Sequence, residues 1–512
     1  MGSLVAPLLL LLTSTAASSK PHLIFLLADD EGWNNGFYNE DVLTPHTDAL
    51  VAAGVKLTNH YVYKFCSPTR SSFLSGRLPI HVNQENSATE QAGAGVPLGM
   101  STIGETMRAA GYRTAHVGKW HCGMATPAHT PYGRGFDSSI GFFNFGEDHY
   151  TQVRGGQALE EDGASAQCSG VDLWRDGAPA RGENGTYGGY TFTRAAVAAV
   201  EANATKPLFL FAAFQNLHPP LEVPPEYVAR YANETLRTTI NGMAAFLDDS
   251  VGNVTKALKK QNMYDSSLIV YTPDNGGYLT QGGDDAPYRG GKFSDFQGGV
   301  RVAAFISGGL VPAGLRGTAS AALVHVCDWM ATFAALGGGA IPADAVAGLP
   351  APDSLDVWPA LSRGRPSPRT EVPLSILPAD GAARAFVDFD GVGYFVGGEG
   401  LLVGDMKLLL GYQHIGPFDK VTNASCAGVA GPWAAGHPGV PCDCATTGCL
   451  YNVTADPTES DDLAAARPGA VAALRTRLEA LRATVYAPDR GAKDDAACAQ
   501  IATNGGFWGP WR

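Results

Sequence analysis

The sequence predicts an α/β fold: a large, mostly parallel sheet flanked by helices on both faces, followed by a smaller C-terminal α+β domain with an antiparallel sheet. Three observations carry this. Short apolar runs rich in β-formers alternate with capped or amphipathic helical stretches from residue 22 to 306, the pattern of parallel strands joined by helical crossovers. Polar residues gather just after four of the predicted strands, and in open α/β sheets ligands bind beyond the carboxyl ends of the strands. From about residue 383 short strands follow one another without intervening helices. The expected division is 1–19 as a signal segment, 20–382 as the α/β domain and 383–512 as the α+β domain.

Residues 22–27 are an apolar run ending in Ala28-Asp29-Asp30, a buried strand with two acids at its C-terminal end. Thr44-Pro45 opens a helix through Leu50 that stops near Gly54; Thr44 caps it, Pro45 is its first residue and Asp48 suits its positive end. Residues 55–63 look extended and lead into Phe65-Cys66-Ser67-Pro68-Thr69-Arg70. Pro68 near the start and Gly76 just past the end set a helix with Cys66 at its N-terminus, where unpaired N–H groups and the dipole favour an anion. Arg70 lies one turn on. On this stretch alone, a buried cysteine beside a helix cap is an equal alternative.

Thr102-x-x-Glu105 is a capping-box pattern opening a helix that ends near Gly111. Residues 112–117 read as a strand, followed by Gly118-Lys119-Trp120-His121, and 123–190 read as Gly-rich, irregular surface loops. A helix over 193–202 precedes a strongly apolar strand over 208–214, which leads to His218-Pro219-Pro220. A helix over 239–259 is followed by a strand at 267–271 running into Asp274-Asn275-Gly276-Gly277, then a Gly-rich loop with Lys292 and a strand at 301–306. The Pro-rich region 342–373 is expected to wrap the junction. Beyond it, 385–389, 393–396, 405–410 and 450–453 read as strands. Pro468 starts a helix with Val471, Leu474, Leu478 and Leu481 on one face.

The chain has 512 residues, 45% of them apolar, which is enough for a sizeable core. A net charge of −13 argues against non-specific nucleic-acid binding, though not against a local basic pocket. The apolar run Leu4 to Leu12, followed by Thr15-Ala16-Ala17, reads as a cleavable secretory signal, although its start lacks Lys or Arg. The run is too short to span a bilayer, and no later stretch spans one. Sequons at Asn184, Asn203, Asn233, Asn253, Asn423 and Asn452 fit a glycoprotein of the secretory pathway, secreted or lysosomal. Nine cysteines leave at least one unpaired in an oxidising compartment; Cys66 is the leading candidate, and its modification would leave eight to pair. The five after residue 420 suggest a disulfide-stapled C-terminal region, with a metal knuckle at Cys442, Cys444 and Cys449 as the less favoured reading.

Asp29, Asp30, Asp274 and Asn275 are hard oxygen donors, a set that suits Ca²⁺ or Mg²⁺ rather than zinc. Taken singly, the acid pairs are ordinary caps and turns; what singles them out is delivery to one sheet edge. Lys119 and His121, two apart, can face one side of an extended segment, and His218 with Lys292 forms a second Lys/His pair. A lysine binds anionic oxygens and a histidine moves a proton near neutral pH.

These residues resemble the sulfatase family. Cys66-Ser67-Pro68-Thr69-Arg70 with Leu74-Ser75-Gly76-Arg77 is similar to its C-x-P-x-R signature. Ala28-Asp29-Asp30-x-Gly32-Trp33, Thr44-Pro45-His46-x-Asp48, Gly118-Lys119-Trp120-His121, Thr272-x-Asp274-Asn275-Gly276-Gly277 and Asp456-Pro457-x-Glu459 resemble further blocks in the family's order. The closing stretch from Gly505 to Trp511 looks like the tail of the arylsulfatase B (N-acetylgalactosamine-4-sulfatase) branch. The resemblance implies an alkaline-phosphatase-like fold. It implies conversion of Cys66 to formylglycine by a formylglycine-generating enzyme, and a Ca²⁺ held by Asp29, Asp30, Asp274 and Asn275 that also contacts residue 66. Arg70 would steady the hydrated aldehyde. Lys119 and Lys292 would bind sulfate, His218 would serve the leaving oxygen, and His121 would act on the second hydroxyl of the hydrate. One hydroxyl attacks sulfur and the substrate alcohol leaves with a proton. Loss of the other hydroxyl's proton then expels sulfate and restores the aldehyde. A sulfated carbohydrate is the expected substrate.

The sequence departs from the family pattern at Cys122, beside His121, and in the loops at 80–100 and 150–185, which shape a substrate pocket. Two rivals remain at this level. A phosphatase or phosphodiesterase of the same fold normally wants Ser or Thr as nucleophile and two metals. A catalytically dead sulfated-glycan binder would lack some catalytic positions, and all are filled here.

Overall fold

The computed structural model describes residues 20–512 except 87, 89, 156–167, 203–204, 233–234, 378–383, 388–392, 397 and 414–441. Side chains of 384–387, 393–396, 412, 442, 443, 445 and 446 also fall outside the description. The expected signal segment, Asn203, Asn233, Asn423, Cys426 and part of the expected strand at 385–389 therefore lie outside the described residues.

The central sheet has ten strands. Its middle runs Ser267–Pro273, His22–Ala28, Leu208–Ala213, Arg113–Lys119 and Ser138–Phe142, all parallel. Outside Ser267–Pro273 lie Ala304–Ser307 and Val55–Leu57, joined antiparallel, then Thr318–Ser320. At the far edge Trp174–Arg175 and Ala178–Pro179 are antiparallel additions. The sheet is thus mixed, with a parallel centre and antiparallel edges. The central strands are buried on both faces, which is why they read as continuous apolar runs.

Alternation along the first strand separates two cores. Leu23, Phe25 and Leu27 pack with Phe73, Met107, Trp329 and Phe333, whereas Ile24, Leu26 and Ala28 pack with Leu50, Val200, Met243 and Leu258. The helices that cover these faces include Pro45–Ala52, Cys66–Ser75, Ile103–Ala109, Gly188–Glu201 and Leu236–Lys260. The Thr102/Glu105 capping box forms, and Gly76 ends the Cys66 helix with φ +64°. The helix expected from 193 starts earlier, at Gly188, because Gly189 allows close approach to the neighbouring helix: a Cβ there would lie 2.4 Å from the Phe246 ring.

Residues 123–190 are not all surface loop. Ser138–Phe142 is a strand of the central sheet, and Ile140, Phe142 and Phe143 are buried. Its Ser and Gly residues hide it from a β-propensity reading, and Gly141 is needed because a Cβ would meet the Gly118 carbonyl. The helix Asp328–Leu336, buried through Trp329, Met330 and Phe333, has no counterpart in the sequence reading.

The smaller sheet orders Glu371–Ser375, Glu399–Val403, Met406–Gln413 and Cys442–Asn452, all antiparallel. Its first strand comes from before residue 383, so the Pro-rich segment contributes to the sheet as well as crossing the junction. Helix Pro468–Arg482 buries Val471, Leu474, Leu478 and Leu481 against Leu401, Leu408 and Leu450, as its spacing predicts. Disulfides join Cys168 to Cys498 and Cys444 to Cys449. Eight paired cysteines are not found: Cys122 and Cys327, like Cys66, are buried and carry no disulfide. Cys498 fastens the C-terminal helix Asp495–Thr503 to the Cys168 segment, and Ala497, Ile501 and Trp508 join the first core. Among the described residues no helix is long and apolar enough to cross a membrane.

Candidate active site

Register brings the site together. Ala28 lies opposite Pro273, Leu27 opposite Ala213, and Ala213 opposite Gly118. Four adjacent parallel strands therefore end at one level and deliver Asp29 and Asp30, Asp274 and Asn275, the segment to His218, and Lys119. The Cys66 helix lies on the first-core face, with Phe73 stacked on Phe25 at 4.0 Å between centroids. Its N-terminus thus reaches the same edge.

Cys66 Sγ donates toward Asp29 Oδ1 at 3.6 Å. Arg70 donates through Nε and Nη2 to Asp274 Oδ2, at 3.0 and 2.8 Å, and through Nη1 to the Lys119 carbonyl at 3.0 Å. Lys119 Nζ lies 2.6 Å from Asp29 Oδ2, and Lys292 Nζ lies 2.8 Å from Asp30 Oδ2. Asn275 Nδ2 donates to Asp30 Oδ1 at 2.7 Å. His218 Nδ1 is 2.6 Å from the Pro219 carbonyl, which only accepts, so Nδ1 carries the proton. Its Nε2 lies 3.9 Å from Asp30 Oδ2. His121 follows two residues after Lys119 in a left-handed backbone conformation (φ +51°). Phe145 neighbours both histidines, its ring 6.2 Å from that of His121 and 6.3 Å from that of His218. Every one of these expected site residues is buried.

Burial in such company reshapes the charges. Burial first, then the neighbouring Asp274, push Asp29 up to about 7, with Lys119 and Arg70 opposing. Burial also pushes Asp274 upward, but Arg70 and then Lys119 outweigh it and hold that carboxyl below its ordinary value. Burial raises the Cys66 thiol well above its usual value, so the unmodified side chain is a neutral thiol. Burial, then Lys119 and Lys292, lower His218 well below the ordinary imidazole value.

A divalent cation fits this donor set. Asp29, Asp30, Cys66 and Asp274 each offer one atom, all within 4.8 Å of one another. Asn275 Oδ1 is buried with no hydrogen-bond partner among the described residues, as an acceptor awaiting a cation would be. A second cluster, His46 with Asp248 and Asp249, has a structural explanation: Asp248 accepts from the His46 and Thr47 amides at a helix start.

The sequence reading missed Phe145, delivered by the unrecognised Ser138–Phe142 strand. Its signal was the aromatic Phe142-Phe143-Asn144-Phe145 run followed, after Gly146, by the acids Glu147 and Asp148.

The family described as Sulfatase matches residues 21–339. The chain is similar to arylsulfatase J of Mus musculus, 34% identical over 505 residues that cover 97% of this chain and 81% of that protein. It is similar to N-acetylgalactosamine-6-sulfatase of Canis lupus familiaris, 29% identical over 69% of this chain and 68% of that protein. The solved structure of Ps i-CgsB in complex with k-i-k-neocarrahexaose superposes with a TM-score of 0.72 at 25% identity, over 95% of this chain and 98% of that one. These relatives support the family. None of the three names carries the 4-sulfatase branch suggested by the C-terminal tail.

Proposed function

The chain belongs to the sulfatase family and is a sulfuric ester hydrolase, and on that premise we propose that it is a calcium-dependent enzyme acting through a formylglycine made from Cys66. The observation that carries this reading is the convergence, at four strand ends, of three carboxylates, an amide, an arginine and two lysines around one residue at a helix N-terminus.

Asp29, Asp30, Asp274 and Asn275 would hold the cation. When bound, it offsets negative charge on the sulfate oxygens and on residue 66. The hydrated aldehyde at position 66 supplies the attacking hydroxyl. Arg70, locked on Asp274 by two hydrogen bonds, keeps a fixed positive charge beside residue 66. Lys119 and Lys292 offer ammonium groups to the anionic oxygens. His218, its Nδ1–H held by the Pro219 carbonyl, directs Nε2 to the cluster; once a bound sulfate offsets the Lys119 and Lys292 charges that depress the imidazole, Nε2 takes up a proton from solvent and hands it to the leaving alcohol oxygen. His121 takes the proton of the second hydroxyl.

A sulfated carbohydrate is the substrate class we favour. Support comes from the relatives: one is named for a sulfated amino sugar and another was crystallised with an oligosaccharide. The six sequons and the apolar N-terminal run support secreted or lysosomal residence. The oxygen-only donor set also admits Mg²⁺. Stripping the protein with EDTA and assaying nitrophenyl sulfate tests the metal. Activity should fall at least tenfold, and Ca²⁺ should restore it better than Mg²⁺. Full turnover by metal-free protein would remove the cation from the account. Nitrophenyl phosphate should turn over far more slowly than the sulfate.

A further inference from the structure

Two residues away from Cys66, and three away from Lys292, a further ion pair is buried. Lys64 Nζ lies 2.7 Å from Asp295 Oδ2, and both side chains are shielded from solvent. The two belong to different catalytic segments. Lys64 precedes the Cys66 helix, and Asp295 lies on the loop that carries Lys292. The same segments are joined through the backbone, since the Phe293 amide donates to the Lys64 carbonyl at 2.7 Å. Phe293 has φ +76°, a left-handed conformation that a phenylalanine holds only when its surroundings impose it. The smaller sheet locks the arrangement from behind: Ser375 Oγ donates to Asp295 Oδ2 at 2.7 Å, and Gln413 Oε1 accepts from the Asp295 amide at 3.3 Å.

A buried ion pair is a poor way to gain stability. Taking both charges out of water costs about what their attraction returns, and apolar residues of similar volume serve as well or better. Such a pair fixes geometry, because each charge tolerates only a narrow range of partner positions. Here the geometry fixed is the separation of residue 66 from the Lys292 ammonium.

We propose that Lys64 and Asp295 are positioning residues that hold Lys292 in register with residue 66 for sulfate transfer, with Ser375 and Gln413 of the smaller sheet fastening the pair. This rests on the sulfate-binding role assigned above to Lys292.

The test uses the full chain, with rates normalised to formylglycine content at position 66. Four variants are compared with the parent: Asp295→Asn, Lys64→Met/Asp295→Leu, Lys292→Ala, and Asp295→Asn/Lys292→Ala. Asp295→Asn and the apolar pair should each lose about 10- to 100-fold in kcat, while the Tm of the apolar pair stays at or above that of the parent. In the Lys292→Ala background, Asp295→Asn should cost nothing further, because its effect runs through the missing lysine. Unchanged kcat in the apolar pair, or an Asp295→Asn loss that adds in full to that of Lys292→Ala, would overturn the positioning role. So would failure of both Asp295→Asn and Lys64→Met/Asp295→Leu to fold, since the pair would then serve the fold itself. A Lys292→Ala protein that keeps full activity would instead overturn the reading of Lys292 on which the proposal stands.

Discussion

Arg70 shows how much of the site depends on single residues. Its guanidinium is fully buried and makes two hydrogen bonds to Asp274 and one to the Lys119 carbonyl. Removing one partner of a buried pair leaves an uncompensated charge. In EDTA-stripped protein Arg70→Ala should therefore lower the unfolding free energy by about 3–5 kcal/mol, read by urea denaturation, and it should abolish turnover in the metal-loaded enzyme. A drop below ~1 kcal/mol, typical of an exposed pair, would contradict the buried geometry. Asp29, Asp30, Lys119, Asp274 and Asn275 are legible in the sequence because each ends or follows a strand, and Cys66 because it opens a helix, positions visible in local pattern; Lys292, in a Gly-rich loop, is legible only through the family resemblance. Lys64 and Asp295 could not be read in this way. They stand 231 residues apart, and no periodicity or spacing links them; only the fold makes them neighbours.

At the level of elements, legibility followed burial and composition. The His22–Ala28, Leu208–Ala213 and Ser267–Pro273 strands are unbroken apolar runs and were read nearly to their ends. The Ser138–Phe142 strand, diluted by Ser and Gly, carries a loop-like composition. Helix Gly188–Glu201 is longer than its sequence pattern predicts because its two leading glycines oppose helix propensity. Packing overrides propensity there: Gly189 faces Phe246, and Phe246 is itself wedged against Tyr187 at 4.9 Å. Gly189→Ala should accordingly destabilise the protein by ~1–3 kcal/mol through overpacking, although alanine is the better helix former. A thermal shift upward would show that the two helices have room to spare.

For the molecule as a whole, the sequence told a two-part story, and the structure adds a return. The chain passes through the central sheet and the smaller sheet, then sends its last helix back to the first core, where Ala497, Ile501 and Trp508 pack. The Cys168–Cys498 bridge, spanning 330 residues, fastens that return. Such long-range closure was illegible because cysteine pairing does not follow from spacing. Replacing both cysteines by serine should cost ~2–5 kcal/mol of stability, seen as a lower Tm, while leaving kcat of the folded enzyme nearly unchanged. Loss of kcat at unchanged Tm would place the bridge in the chemistry instead. All these layers converge on residue 66, and the most direct measurement is made there. Mass spectrometry of the peptide carrying Cys66, from natively expressed protein with measured turnover of nitrophenyl sulfate, should find the thiol sulfur gone and an aldehyde in its place, in proportion to activity. An intact thiol in fully active protein would contradict the account.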